Sequence, residues 1–448
     1  MNIPTLSDEK YMEVVAAYEK KTPRSRKLNE ESRECIVPMG AATYTIWHRP
    51  YPLFIDRARG SRLYDVDGNE YVDLFNDQGI SYLGHRSPAI RKAIIGVLDK
   101  YGSHLAMCEE LATRWARKVM QHYPSIQKIK VVNSGTEATE LACQIARAFT
   151  SKTKIIKFAG HHHGWNSVLS YDALAAGSGA FFTLGVPANH WDNLITLPPN
   201  DIGMVAKALQ DNRDQVAAVV LEPLGAASGG SPLVEGFQKS LRELTAKHNV
   251  LLVFDEVATC FKVSIGGAQQ VLGITPDLTC LGKAAGGGLP IGAVGGRDDV
   301  MSVVGALDPR AAHFGPLFPM GSFCAHPMAM AAGIAFIEEL ETGDYIRSSI
   351  DSAAELARGI NDIAARLKMN IQAHATYSFL HFGLTGKFDM SQALEVLEFD
   401  LMIRLALLLG NPGVVALPGL GCISGIMKKK DIKKSLAAFE TAFSIYNR

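Results

Sequence analysis

The sequence predicts an α/β protein whose middle region forms a doubly wound, mostly parallel sheet. From about residue 86 onward, short apolar runs alternate with helical segments, a pattern typical of a parallel sheet covered by helices on both faces. The last two runs are apolar without alternation, as expected of strands buried on both faces. The strand candidates are Lys128–Val132, Lys154–Phe158, Val216–Leu221 and Val250–Phe254.

The flanking regions have different patterns. Residues 8–35 place apolar positions at helical spacing and predict an arm or helix. Leu53–Leu74 reads as a hairpin, because Asp67-Gly68 is a turn pair between two strand-like runs. A long helix is expected from Pro327 to about residue 340, and the apolar run Leu405–Leu409 is expected to be a buried helix face. A lysine-rich helix over 428–434 is expected near the end.

Composition excludes several classes of function. The 448 residues suffice for two or three domains. Lys+Arg and Asp+Glu both total 45, so the zero net charge gives no support for a nucleic-acid or membrane-surface partner. The 7 cysteines form no CxxC pair, which disfavours a disulfide framework or a structural zinc site and fits a reducing compartment. With no signal-peptide pattern at its beginning, we expect a soluble, cytoplasmic protein.

One lysine stands in an unusual setting. Lys283 lies in the apolar, glycine-dense segment Leu281–Pro290. A buried ammonium is costly, whereas a desolvated lysine amine is a nucleophile that can form a Schiff base. Taken alone, the segment is equally well explained as a glycine-rich turn with an incidental lysine.

Polar residues follow several strand candidates. A small-residue turn, Asn133–Ala138, opens a helix and offers backbone N–H groups to an anion, so Gly135 and Thr136 could hold a phosphate; a plain helix cap is the alternative. Asp255 ends a buried strand and needs a partner, which a protonated ring nitrogen could supply, although a helix-capping or metal-binding acid has the same pattern. Glu222 ends the preceding apolar strand in the same way.

Three consecutive histidines, His161–His163, follow the strand at 154–158. Adjacent residues point in different directions, and metal sites favour wider spacings, so we predict no metal at this position. An aromatic ring stacking on a planar cofactor fits better. One site would then offer a partner to each part of a planar cofactor: its phosphate, its ring nitrogen, its ring face and its aldehyde.

These motifs resemble class III (ornithine-type) aminotransferases that use pyridoxal 5′-phosphate (PLP), and within them the glutamate-1-semialdehyde aminomutase-like branch. The resemblance runs from about residue 36 to the end of the chain. Its most specific segments are Asn133–Ala138, Phe254–Val257, Pro276–Pro290, Met320–Ser322 and Pro327–Gly333.

The resemblance implies the fold type I PLP-dependent transferase architecture. It places an N-terminal arm and part of a small α+β domain in residues 1–85. The large PLP-binding α/β domain then covers 86–330, and 331–448 complete the small domain, which is built from both chain termini. It also implies a homodimer with shared active sites.

The resemblance assigns roles to the site residues. Lys283 forms the Schiff base with PLP, Asp255 pairs with the pyridinium nitrogen, and Val257 lies against one ring face. The phosphate site comprises Ser134, Gly135 and Thr136. In relatives, the residue matching Ser322 reaches the partner subunit's phosphate, and its hydroxyl is present in this chain.

Three departures concern the cofactor ring and the substrate. His162 stands where relatives have tyrosine or phenylalanine; its imidazole can stack but can also titrate. Ile46 stands where carboxylate-binding members have arginine, and the late loop Leu417–Cys422 also has none. Because arginine is strongly favoured for bidentate carboxylate binding, an amine without a nearby carboxylate is the expected substrate, unless Arg49 takes over.

The sequence therefore predicts a PLP-dependent aminotransferase acting on a small-molecule amine and a keto acid. The alternatives are a glutamate-1-semialdehyde-type aminomutase or amino-acid epimerase and, more distantly, a non-catalytic PLP-fold binding protein. The expected substrate-pocket residues are Tyr44, Ile46, Trp47, Arg49 and Tyr82.

Overall fold

The computed structural model describes residues 8–37, 40, 50–171, 185–225, 233–305, 317–384, 404–417 and 419–446. These divide into two compact units. The small unit contains the described residues up to Ser87 and those from Arg347 onward, and the large unit is Pro88–Ile346.

The strands and helices of the described residues are numbered in chain order. The strands are β1 (Ile55–Arg59), β2 (Arg62–Asp65), β3 (Glu70–Asp73), β4 (Lys128–Val132), β5 (Lys154–Phe158), β6 (Leu194–Leu197), β7 (Val216–Leu221), β8 (Leu251–Asp255), β9 (Leu278–Gly282), β10 (Gly292–Gly296), β11 (Ile371–Thr376), β12 (Phe379–Leu384), β13 (Val414–Val415) and β14 (Leu420–Cys422). The α-helices are α1 (Asp8–Lys21), α2 (Pro23–Ser32), α3 (Asn76–Gly79), α4 (Pro88–Tyr101), α5 (Glu110–His122), α6 (Gly135–Thr150), α7 (Ile202–Asp211), α8 (Phe237–Lys247), α9 (Gly267–Leu272), α10 (Asp298–Met301), α11 (Pro327–Thr342), α12 (Tyr345–Arg366), α13 (residues 404–410) and α14 (Lys429–Tyr446). Short 3₁₀ helices cover Ala188–Asn193 and Lys283–Gly286.

Among the described residues, seven strands of the large unit form one sheet in the order β4-β10-β9-β8-β7-β5-β6. Only β10 in this set runs antiparallel to its neighbours, so β4 and β9, which flank it, point the same way as the other four strands of the sheet. One face packs against α6, and the other packs against α7 and α8. The predicted α/β class and mostly parallel sheet are confirmed, and the four strand candidates match β4, β5, β7 and β8 within one residue.

Strand β10 was not predicted, because three of its five residues are glycine and it shows no apolar pattern. The glycines are required by close packing. A Cβ at Gly292 would collide with the Ser134 carbonyl, and one at Gly295 would lie 2.6 Å from the Ile126 side chain. A Cβ at Gly296 would lie 2.5 Å from the carbonyl oxygen of Asp277.

The small unit is built from both ends of the chain. β2 and β3 form the predicted hairpin around Asp67-Gly68, β1 pairs with β2, and β13 joins β3 in parallel. A second sheet has the order β11-β12-β14. α12, α13 and α14 contribute apolar side chains to the core, and Leu405–Leu409 are buried on α13 as expected.

Helix α11 stays with the large unit, where it packs against α4 and α5. The chain therefore leaves this unit after Ile346, whereas the sequence placed the boundary at residue 330. The first boundary lies after Ser87, two residues beyond the expected position. No helix in the described part of the chain is long and apolar enough to cross a membrane.

Candidate active site

The carboxyl ends of the parallel strands bring the predicted site residues to one edge of the large sheet. Ser134 follows β4, His161–His163 follow β5, and Glu222 follows β7. Asp255 ends β8, and Lys283 follows β9 directly. Ligands of open α/β sheets collect at this edge.

The turn after β4 caps helix α6 and leaves donors for an anion. The Ser134 hydroxyl accepts a hydrogen bond from the Glu137 N–H at 3.2 Å, so its side chain is a helix cap. The Ser134 carbonyl accepts from the Ala138 N–H at 3.0 Å. The N–H groups of Gly135 and Thr136, in the first turn, have no acceptor within the helix. With the positive end of the helix dipole, they could hold a phosphate, as the sequence predicts.

Val257 lies where three segments of the site meet. A Cβ at Gly135 would lie 2.8 Å from one Val257 methyl carbon, and a Cβ at Gly282 would lie 3.1 Å from it. The start of α6 and the residue before Lys283 therefore both pack on the same side chain. The Val257 N–H also donates to Asp255 Oδ1 at 3.0 Å, which ties the acid to this meeting point.

Asp255 has a histidine partner that the sequence analysis did not single out. Asp255 is 3% exposed and His163 is 1% exposed. Their Oδ2 and Nδ1 atoms are 2.7 Å apart. Burial lowers the pKa of His163 despite the neighbouring carboxylate, so the ring is neutral and its Nδ1–H donates to Asp255. Among the described residues, its Nε2 has no hydrogen-bond partner.

Consecutive side chains point in different directions, so the three histidines have different partners, but the sequence alone does not indicate which of them faces Asp255. His161 Nδ1 accepts from the Glu222 N–H at 3.2 Å, and burial holds the pKa of His161 well below its usual value. The described residues contain no cluster of three or more His, Cys, Asp or Glu side chains that could hold a metal ion.

His162 lies close enough to Lys283 for their charges to interact. Burial, with a further contribution from the Lys283 ammonium, lowers the pKa of His162 to about 4. The imidazole is therefore neutral near pH 7. A neutral, planar ring beside the lysine is compatible with the predicted stacking role, which stays a prediction.

The histidine loop lies directly on the first turns of α6. The Thr139 hydroxyl donates to the His163 carbonyl at 2.6 Å, and the Asn166 amide donates to the same carbonyl at 3.2 Å. Gly164 has a φ of +89°, and a Cβ there would lie 2.8 Å from the Cα of Thr136. The histidine loop is thus held against Ser134–Thr136, the turn predicted to bind phosphate and called the phosphate turn below.

Lys283 begins a short 3₁₀ helix with a backbone φ of +48°. A residue with a Cβ in this left-handed region costs on the order of 1–3 kcal/mol, and such strain is common at active sites. The residue is half-buried between two fully buried neighbours, Gly282 and Ala284.

The remaining predicted residues are placed unevenly. The buried Glu222 carboxylate contacts the Leu224 N–H at 3.4 Å, and its own N–H donates to His161. Ser322 is exposed in a turn whose Gly321 packs near Asn133.

Among the predicted substrate residues, Tyr82 is buried in the small unit, with its hydroxyl 2.5 Å from Ser349 Oγ. Tyr44, Ile46, Trp47 and Arg49 lie outside the described residues.

The arrangement fits a phosphorylated pyridine aldehyde. The α6 N-terminus can take the phosphate, and Asp255 has acceptor capacity left for a ring N–H after its two observed donors. Val257 offers an apolar surface, and Lys283 offers an amine. Each group that PLP presents thus finds a chemically suitable partner.

Comparison with known proteins agrees with this fit. Residues 43–373 match the family Aminotransferase class-III. The chain is 35% identical to glutamate-1-semialdehyde 2,1-aminomutase of Thermodesulfovibrio yellowstonii, covering 96% of this chain and 100% of that protein. An omega-transaminase from Sphaerobacter thermophilus has a similar structure, with a TM-score of 0.87 and 31% identity over 95% of this chain and 98% of that one. A transaminase with PLP bound has a TM-score of 0.85 and 27% identity over 95% of this chain and 98% of that one.

Proposed function

Because the chain belongs to the class-III aminotransferase family and its cofactor is PLP, we propose that it is an aminotransferase that moves an amino group between an amine and a keto acid. When bound, the cofactor supplies an electron-accepting ring and an aldehyde that condenses with amines. The rest of the chemistry depends on side chains of this chain.

Lys283 is the residue proposed to carry protons. With cofactor and substrate amine bound, its free amine would take a proton from the substrate carbon that bears the nitrogen. The same Nζ would then give up that proton on the cofactor side. A single amine can do both because lysine carries it on a flexible four-carbon stem, which here starts directly after β9.

Asp255 is proposed to keep the ring nitrogen protonated. The neutral His163 donates to Oδ2, and the Val257 N–H donates to Oδ1, so the carboxylate is oriented from two sides. A carboxylate in this position stabilises a positive ring nitrogen, which makes the ring a better electron acceptor. The N–H groups of Gly135 and Thr136 bind the phosphate.

The convergence of Lys283, the Asp255–His163 pair and the α6 N-terminus around Val257 is the observation that carries this proposal. A binding protein has no need of a strained lysine next to an oriented acid. The same convergence disfavours the non-catalytic alternative.

For the substrate, we propose an amine without a nearby carboxylate. The support is the sequence: Ile46 stands where carboxylate-binding relatives have arginine, and no arginine stands in 417–422. A carboxylate desolvated without a cationic partner is costly, so its binding would be weak.

An aminomutase is the second candidate, because the relative in Thermodesulfovibrio yellowstonii carries that name. The two reactions use the same residues and differ in their co-substrate. An aminomutase returns the amino group to the same molecule and needs no external keto acid.

Amine donors tested one at a time with pyruvate and 2-oxoglutarate separate these two activities. In an aminotransferase, the absorbance of the PLP form of the cofactor at the violet end of the visible spectrum falls when an amine is added alone. It returns when a keto acid follows. If glutamate-1-semialdehyde is converted without any keto acid far faster than any amine–keto acid pair, the aminomutase assignment replaces ours. Preference for a β-amino acid over aromatic or long-chain amines contradicts the proposed substrate class.

We also propose a homodimer in which Ser322 reaches the phosphate site of the second subunit. The support is the role that the family resemblance gives to Ser322, together with its exposed hydroxyl-bearing side chain.

A further inference from the structure

The turn that carries Lys283 has a strained start. Lys283 has a φ of +48°, and Gly287, just after the 3₁₀ helix, has a φ of +60°. The first of these is costly for a residue with a side chain, so the conformation persists only where surrounding contacts fix it. Those contacts are present on both sides of the lysine.

Trp115 of α5 fixes the turn after the lysine. Its indole Nε1–H donates to the carbonyl of Ala285 at 3.0 Å, and the side chain is 0% exposed. A buried indole N–H needs an acceptor, and in this turn the acceptor is the backbone two residues beyond Lys283.

Helix α11 closes around this hydrogen bond. A Cβ at Gly333 would lie 2.6 Å from Trp115 Nε1 and would also collide with the Ala285 carbonyl. A Cβ at Gly287 would collide with the carbonyl of Ala332. Glycine at both positions allows α11 to press the turn against α5, so the indole and the carbonyl have little freedom to separate.

Cys260 fixes the turn before the lysine. Its thiol donates to the carbonyl of Gly282 at 3.3 Å, and the side chain is fully buried. Burial raises the pKa of Cys260, which keeps the thiol protonated and able to donate. The carbonyls of Gly282 and Ala285, on either side of the lysine, are therefore each held by a buried side-chain donor.

We propose that Trp115 and Cys260 are positioning residues that hold the Lys283 turn in its strained conformation, so that the lysine amine meets the cofactor aldehyde. The inference rests on the Schiff-base role proposed for Lys283. Formation of this bond joins Nζ to the aldehyde carbon and releases one water. Its equilibrium depends on where Nζ is held, whereas phosphate binding at α6 does not.

Because the Schiff base and the phosphate contacts contribute separately, two cofactor forms can be compared, and a residue with only a structural role would affect the binding of both equally. PLP binding uses the phosphate turn, Asp255 and the lysine bond, whereas pyridoxamine phosphate (PMP) uses the first two alone. For Trp115→Phe we expect the dissociation constant of PLP to rise about tenfold and that of PMP to change less than about twofold, since sub-ångström misplacement of a reacting group has effects of this size. The Schiff-base pKa, read from absorbance against pH, should shift as well.

Phe336→Leu is the matched control for a buried aromatic on α11, because Phe336 is fully buried and its ring has no hydrogen-bond donor. The ratio of its dissociation constants for PLP and PMP should equal that of the unmodified protein. If Trp115→Phe weakened the binding of PLP and PMP equally, Trp115 would have a structural role only and the proposal would be overturned. An unchanged ratio of the two dissociation constants together with an unchanged Schiff-base pKa would overturn it as well.

Cys260→Ala and Cys260→Ser test the second donor without a large cavity. The alanine variant should bind PLP more weakly while its binding of PMP stays the same. The serine variant, which keeps an O–H donor, should recover most of the lost PLP affinity. Equal behaviour of the two contradicts the role of Cys260. If borohydride traps no cofactor on Lys283 in the unmodified protein, the proposed function itself fails; if it does trap cofactor and the variants match the parent, this inference alone fails.

Discussion

Two consecutive acids, Asp255 and Glu256, are both buried at the end of β8, but their surroundings differ. In the Glu256 cluster (Glu256, Thr259, Ala268 and Gln269), the carboxylate accepts from two backbone N–H groups, one amide and one hydroxyl. In the Asp255 cluster (Asp255, His163 and Val257), it accepts from one imidazole and one backbone N–H.

The difference separates an acid that holds the fold from an acid that is available to a ligand. A carboxylate has about four lone-pair sites, and the chain fills those of Glu256. Asp255 retains capacity beside Lys283 and the phosphate turn. Burial alone does not distinguish the two; the number of donors supplied by the chain does.

Among the variants that test this difference between the two acids, Asp255→Asn should lower activity the most. The amide keeps the size of the side chain but cannot stabilise a protonated ring nitrogen, so we expect kcat to fall by on the order of 10²–10³-fold, typical for one key electrostatic group. The measurement is single-turnover kinetics with cofactor occupancy determined by absorbance. A variant that retains more than about a tenth of the activity with full cofactor would contradict the role of Asp255.

Glu256→Gln should have a smaller effect on activity and a clear effect on stability. Its NH₂ faces groups that are themselves donors, so the free energy of unfolding should fall by about 1–3 kcal/mol. Activity per cofactor-loaded site should stay within severalfold of the parent. Urea unfolding of both proteins provides the measurement.

The same experiment has a pH signature. Burial is the largest influence on Glu256 and raises its pKa. The stability that this group contributes is therefore fully present below the ordinary glutamate pKa of about 4.5 and is lost as the pH rises through the folded value. The stability gap between parent and variant should narrow with rising pH. A gap that widens, or a kcat loss equal to that of Asp255→Asn, contradicts the division between the clusters.

His162→Phe should have the smallest effect. The pKa of His162 is lowered to about 4, so its contribution to stability is present above the ordinary histidine value of about 6.5 and is lost as the pH falls through about 4. The phenylalanine variant should lose less thermal stability than the parent across this window. Near pH 8, where both rings are neutral, activity should differ by about threefold or less. An identical loss of thermal stability at acid pH in the two proteins would contradict the conclusion that His162 is held neutral by its surroundings.

The sequence predicted the residues of the Asp255 cluster unequally. Asp255 could be identified because it directly follows an apolar run, and the nearby Lys283 because it stands in an apolar, glycine-dense segment. The family resemblance carries their roles and that of Val257. His163 could not be identified, because three adjacent histidines look alike until the chain direction after β5 decides which ring faces the acid. For the turn Asn133–Ala138 the sequence left a phosphate site and a plain helix cap as alternatives, and the contact with Glu137 shows that the Ser134 hydroxyl is a helix cap.

The fold shows the same limit. Strands β7 and β8 are continuous apolar runs and were predicted, whereas β10 is set by its pairing with β9 and with β4, which lies far away in sequence. The second domain boundary depends on which neighbours α11 packs against, and its own composition does not indicate them.

The glycines of β10 also affect how tolerance to substitution is interpreted in this protein. Gly292, Gly295 and Gly296 have no functional group, yet any side chain there would press on Ser134, Ile126 or Asp277. Displacement of Ser134 would move the phosphate turn. A survey of all substitutions would therefore rank these positions with Lys283, and sensitivity alone would not tell a spacer apart from a reacting group.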